Sequence, residues 1–134
     1  MSIDIFKDFA TDTKAEEAGI WVPYAGDVEF LIARTGNKKY SRVFLKEYNA
    51  AKRILDAKGP TAEAKAEELN VSTLAQAILL GWKGDLKFQG EALEYSVANA
   101  KRLLAVKDFA RWVVTQAEDM SMFKLEKDEA DVEK

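Results

Sequence analysis

The sequence predicts a mostly helical α+β domain: an N-terminal β-hairpin packed against about four to five helices, with an acidic, disordered C-terminal tail. Three observations lead there. Apolar residues recur at helical spacing through most of the chain after Asn37. Convincing alternation with a period of two occurs only between Gly19 and Arg34. From Lys124 onward the sequence reads KLEKDEADVEK, with almost nothing to bury. Residues 1–124 are therefore expected to form one domain and residues 125–134 a flexible acidic tail. A chain of 134 residues, 48% of them hydrophobic, fits a single core.

Taken in order, residues 2–10 place Ile5, Phe6 and Phe9 on one face of a short helix, with Ser2 as its cap. Thr11 to Ala18 is polar and mixed in charge and reads as a linker. In the hairpin, Ile20, Val22 and Tyr24 alternate with Trp21 and Pro23. After the turn at Ala25-Gly26-Asp27, Val28, Phe30 and Ile32 alternate with Glu29, Leu31 and Ala33. Proline donates no ladder hydrogen bond, so the strand holding Pro23 should lie at an edge.

Asn37 is placed to cap a helix bearing Tyr40, Val43, Phe44, Tyr48, Ala51, Ile54 and Leu55, which Gly59-Pro60 stops. Thr61 is placed to cap the next, through TAEAKAEELN, with a kink or restart at Asn70-Val71-Ser72. Leu74, Ala77, Ile78 and Trp82 then form a stripe, and Gly84 reads as the stop of that helix. Residues 85–95 fit either a weak second hairpin or a packed loop. Ser96 caps a short helix carrying Val97, Ala100, Leu103 and Leu104. Asp108 caps the last, with Phe109, Trp112, Val113, Gln116, Met120 and Phe123 at helical spacing.

Composition excludes several kinds of chemistry. With no cysteine and no histidine, disulfides, Cys/His zinc sites and Ser–His or Cys–His catalysis are ruled out. The carboxylate pairs Glu16-Glu17, Glu67-Glu68 and Glu118-Asp119 are adjacent in sequence. Neighbours on a helix point about 100° apart, so these pairs do not face one another across a cleft. No phosphate-binding glycine loop and no EF-hand pattern is present. The expectation is a non-enzyme with no cofactor and no metal. The net charge is −3, with 20 basic and 23 acidic residues, so neither nucleic acid nor membrane is an expected partner. Nothing in SIDIFKDF reads as a cleavable signal, and the expected location is the cytoplasm.

Most aromatic residues are expected in the core. Trp21 is the exception, because an aromatic beside a proline on an edge strand suits an interface. Ile20, Trp21 and Val22 are accordingly the candidate partner-binding residues.

The order of the pieces adds a resemblance. A Trp21-Val22 strand and a second strand ending in Ala33-Arg34 precede Gly36-Asn37 and Tyr40. Leu80-Gly81-Trp82-Lys83-Gly84, then Gly90 and Tyr95-Ser96, then Asn99-Ala100 and Leu103-Leu104 follow. Phe109 to Val113 and Ala117 to Asp119 close the series, with Phe123 last. From Ile20 to Phe123 the chain resembles the tail assembly chaperones of long-tailed bacteriophages. It departs from them at Glu94 and Val97, where members often carry proline, and SIDIFKDF has no counterpart. The resemblance implies a protein of the host cytoplasm, absent from the mature virion. It implies binding to the tape measure protein, recruitment of the major tail protein and weak self-association. The alternatives are a small regulatory module, such as an antitoxin or transcription-factor type, and a structural virion component. For the regulatory module, the basic helix after Asn37 is the one candidate for recognition.

Overall fold

A computed structural model describes residues 2–119 and 123–124. Within them lie six helices and five strands, so the mostly helical α+β class holds. The first two helices are short and owe their starts to aspartates. In α1 (Ile5–Phe9) the Asp4 carboxylate accepts from the Phe6 amide at 3.1 Å, so Asp4 and not Ser2 is the cap. Ile5, Phe6 and Phe9 all stay exposed. The segment expected as a linker is instead largely α2 (Thr13–Ala18), capped by Asp12 through the Lys14 and Ala15 amides. It has no apolar stripe, so periodicity could not reveal it. Its anchor is polar: Glu16 pairs with Arg34 at 2.6 Å, and its carbonyl accepts from the Arg34 amide at 2.9 Å.

The hairpin forms as expected from β1 (Ile20–Ala25) and β2 (Val28–Ile32). Trp21 lies opposite Leu31, and Val22 opposite Phe30, with an irregularity between Pro23 and Ala25. β1 is an edge strand, the position in a sheet where a proline is tolerated.

The largest departure lies between residues 78 and 84. The helix expected to run to Trp82 ends at Ala77, and Leu79–Lys83 forms β3, antiparallel to β2. A short unbroken apolar run such as Ile78 to Trp82 satisfies a buried strand as well as a buried helix, so its spacing alone does not decide. Tertiary context does. Phe30 and Ile32 bury β2 in the middle of the molecule. The backbone groups on its second edge then need partners that water cannot supply. β3 supplies them, with Phe30 opposite Trp82 and Leu31 opposite Gly81, and the Ala33 amide continues to the Ile78 carbonyl at 2.8 Å.

The longer helices are α3 (Lys38–Asp56), α4 (Pro60–Ala77), α5 (Val97–Leu104) and α6 (Lys107–Glu118); α4 meets β3, α6 meets β2, α3 packs on α4, and α5 packs on α4 and α6. Asn37 caps α3 as expected, its Oδ1 accepting from the Tyr40 amide at 2.8 Å. α4 begins with Gly59 at the cap position and Pro60 in its first turn, so Thr61 is not the cap. It runs unbroken through Asn70-Val71-Ser72. The Ser72 hydroxyl is used between helices, on Glu47, and does not disturb its own backbone. Ser96 caps α5 through the Asn99 amide at 3.0 Å. The cap position of α6 is Val106, and Asp108 sits in the first turn, paired with Arg111 at 2.9 Å.

Residues 85–95 settle as a small hairpin. β4 (Lys87–Phe88) and β5 (Glu91–Ala92) join through Gln89-Gly90, both at positive φ, which matches the twist of a tight two-residue turn. α6 stops before Phe123, which is buried in 3-10 backbone beyond the end of that helix, and the Asp12 amide donates to its carbonyl at 2.7 Å. Met120 and the acidic tail at 125–134 lie outside the described residues.

The core joins Val22, Phe30, Ile32, Leu74, Ile78, Leu79, Leu104 and Val113. Trp112 and Phe109 pack against its rim, half-buried, so Trp112 is not the core residue that its helical spacing predicts.

Candidate functional site

The three-stranded sheet has two unlike faces. The row Val22, Phe30 and Trp82 points into the core. The rows Trp21–Leu31–Gly81 and Pro23–Glu29–Lys83 point the other way. On that outer face Trp21 is 43% exposed. The Lys83 ammonium sits 4.4 Å from the centre of its ring and 3.5 Å from Glu29 Oε2. A cation over an indole and beside a carboxylate holds the ring in place. Gly81 adds no side chain, and Leu31 is half-buried beside it, so the surface around Trp21 is shallow.

Of the three candidate partner-binding residues, the strand brings only Trp21 outward. Ile20 is half-buried, and the Val22 side chain is 4% exposed and belongs to the core. Alternation separates them: adjacent residues of a strand cannot present side chains to one face. What Ile20 to Val22 share is a backbone with no strand on its outer side among the described residues. Lys83 and Glu29 complete the surface. Sequence reasoning missed Lys83 because it read that residue as the end of a helix.

A polar knot links α3 and α4. The Glu47 carboxylate accepts from Ser72 Oγ at 2.6 Å and from Gln76 Nε2 at 2.8 Å. The Ser72 hydrogen bond, above all, holds the Glu47 carboxyl below its ordinary range, and the Gln76 bond, Lys101 and Lys65 act in the same direction against the effect of burial. No periodicity signals this knot, because it depends on which faces of two helices meet. Burial against Trp82 raises the Tyr95 phenol, whose ring meets the indole edge-on at 5.1 Å. Among the described residues no three acidic side chains lie together so as to hold a metal ion. No described helix is long and apolar enough to cross a membrane.

The residues that carry the resemblance converge on one joint. Trp82 Nε1 donates to the Leu93 carbonyl at 2.8 Å, and Asn99 Nδ2 donates to the Glu94 carbonyl at 2.8 Å. Phe30 sits between the rings of Trp82 and Trp112, at 6.2 Å and 5.7 Å. Trp82, Tyr95, Ser96, Asn99 and Trp112 thus fasten the sheet to β4, β5 and the last two helices. They are framework, and the surface at Trp21 lies on the opposite face of the sheet.

No curated protein and no solved structure matches the chain. A match does exist to the family described as YdaY prophage protein, over residues 35–134. That span covers β3 and every helix from α3 onward. Four of the five framework residues stand beyond Trp82 in sequence, and all five lie inside the match. The chain therefore belongs to the YdaY prophage protein family, a phage-derived family.

Proposed function

We propose that this protein is a phage tail assembly chaperone. On this reading it is not an enzyme and uses no cofactor. It binds the tape measure protein in the bacterial cytoplasm, helps to recruit the major tail protein, and leaves before the virion matures. One observation carries the reading: β1 is an edge strand with no strand on its outer side among the described residues, and its Trp21 stands on the solvent side of a sheet whose other side is core. Such an edge offers backbone groups for pairing and an aromatic anchor beside them. Membership of a prophage family gives further support, as does the resemblance carried by residues inside the matched span.

A chaperone has to release its client. Micromolar contacts, equivalent to about −8 kcal/mol, suffice if many copies line one long client. The same edge accounts for weak self-association. Co-expression with a tape measure protein encoded beside this chain tests the reading. The client should stay soluble with the native chain and precipitate without it. Trp21→Glu should reduce both client solubility and self-association in sedimentation while the helical circular dichroism is unchanged. A client equally soluble with and without the chain would refute the proposal.

A further inference from the structure

α3 has an uneven surface. It carries Lys38, Lys39, Arg42, Lys46, Lys52 and Arg53 against only Glu47 and Asp56, in a chain whose net charge is −3. All six cations are exposed, and none has an ion-pair partner within 4.0 Å among the described residues, although five salt bridges form elsewhere. Lys39, Arg42, Lys46 and Arg53 follow one another at helical spacing and form a single row. Beside it runs an apolar row of Val43, Ala50 and Ile54, the last 39% exposed. Between the two rows, Arg42, Val43, Lys46 and Ala50 line a cleft of about 320 Å³ closed on the α4 side by Gln76. Glu47 also lines the cleft, an anion that makes no ion pair within 4.0 Å with the α3 cations among the described residues. Its carboxylate is held by Ser72 and Gln76, and the cations that act on it are Lys101 and Lys65.

We infer that α3 is a docking face for an acidic amphipathic helix of a partner protein. Apolar residues of the partner lie on Val43, Ala50 and Ile54, and its carboxylates meet Arg42, Lys46 and Arg53. Charge complementarity identifies the occupant as acidic, and the apolar row beside the cations makes it a helix with one apolar stripe. A nucleic-acid backbone would use the cations but leave the apolar row without a role. The inference does not depend on the chaperone reading, because it concerns a different face from Trp21.

The test uses the full chain and a synthetic glutamate-rich helix with one leucine stripe, followed by fluorescence anisotropy. A scrambled peptide of the same composition and a short duplex DNA serve as competitors. The amphipathic peptide should bind, weaken as salt rises and resist both competitors. Arg42→Glu with Lys46→Glu should weaken binding at least about tenfold, with circular dichroism unchanged, whereas Lys87→Glu on the β4–β5 hairpin should have no effect. If the double variant loses its helical signal, the single changes Arg42→Gln and Lys46→Gln are read instead and should each weaken binding. Unchanged affinity in the α3 variants, equal binding of the scrambled peptide, or tighter binding of the duplex would each overturn the inference. A chain that binds the peptide at α3 but leaves the tape measure protein insoluble would sink the chaperone reading alone.

Discussion

Gly84→Ala separates the observed strand at 79–83 from the helix that the sequence favours. In a helix, Gly84 would be the residue just past the end. Alanine would then meet only the strain of left-handed backbone, about 1–2 kcal/mol. In the structure, Gly84 has φ 96, and a methyl added there would also lie 2.6 Å from the Asp27 carbonyl carbon and 2.8 Å from Val28 Cα. Those atoms are backbone at the turn between β1 and β2, so no side-chain rotation relieves the clash. Overpacking of this kind costs a further amount of about 1–3 kcal/mol. Gly90→Ala is the internal control: its φ is 83, but among the described residues nothing lies within 4 Å of the added methyl. Urea unfolding of both variants, followed by circular dichroism and by tryptophan fluorescence, gives the two free energies. Gly84→Ala should be the more destabilised by at least about 1 kcal/mol. Equal destabilisation of the two variants would refute the contact between Gly84 and the β1–β2 turn, and with it the placement of β3.

Two further outcomes follow from the joint and the knot. Trp82→Phe keeps an aromatic ring but leaves the Leu93 carbonyl without its donor. It should cost about 1–3 kcal/mol and speed amide exchange in residues 86–95, and a loss below about 0.5 kcal/mol would count against the buried hydrogen bond. Ser72→Ala tests the acid limb of stability. The Glu47 carboxyl is lowered in the folded state from its ordinary value of 4.5. Its stabilising contribution is therefore present above that value and is lost as pH falls through the folded value. The native chain should exceed Ser72→Ala in melting temperature near neutral pH, with the gap closing progressively below pH 4.5. A gap independent of pH would mean that Ser72 acts through packing alone.

Legibility of the candidate surface was partial. The edge position of β1 and the outward Trp21 follow from Pro23 and from alternation, both local properties. Lys83 and Glu29 reach the surface only through the pairing of β2 with β3. The cations of α3 are visible in the sequence, where they read as spread around a helix. Their significance depends on α4, which packs along α3 and engages Glu47, leaving the row from Lys39 to Arg53 with no ion-pair partner within 4.0 Å among the described residues.

By itself the sequence determined the first hairpin, α3 with its Asn37 cap, the Ser96 cap of α5 and the class of the fold. Each of these rests on spacing or on a side chain that bonds backbone a few residues away, and such interactions need no distant partner. Tertiary structure alone decided that Leu79–Lys83 is a strand, that α4 passes Ser72 unbroken, and that Phe123 is buried beyond the end of α6. In each case the local signal was degenerate. A short apolar run satisfies two secondary structures, and a serine inside a helix has several places to spend its hydroxyl. The choice fell to groups far away in sequence: the unpaired edge of β2 for the strand, Glu47 for Ser72, and Asp12 for the backbone at Phe123.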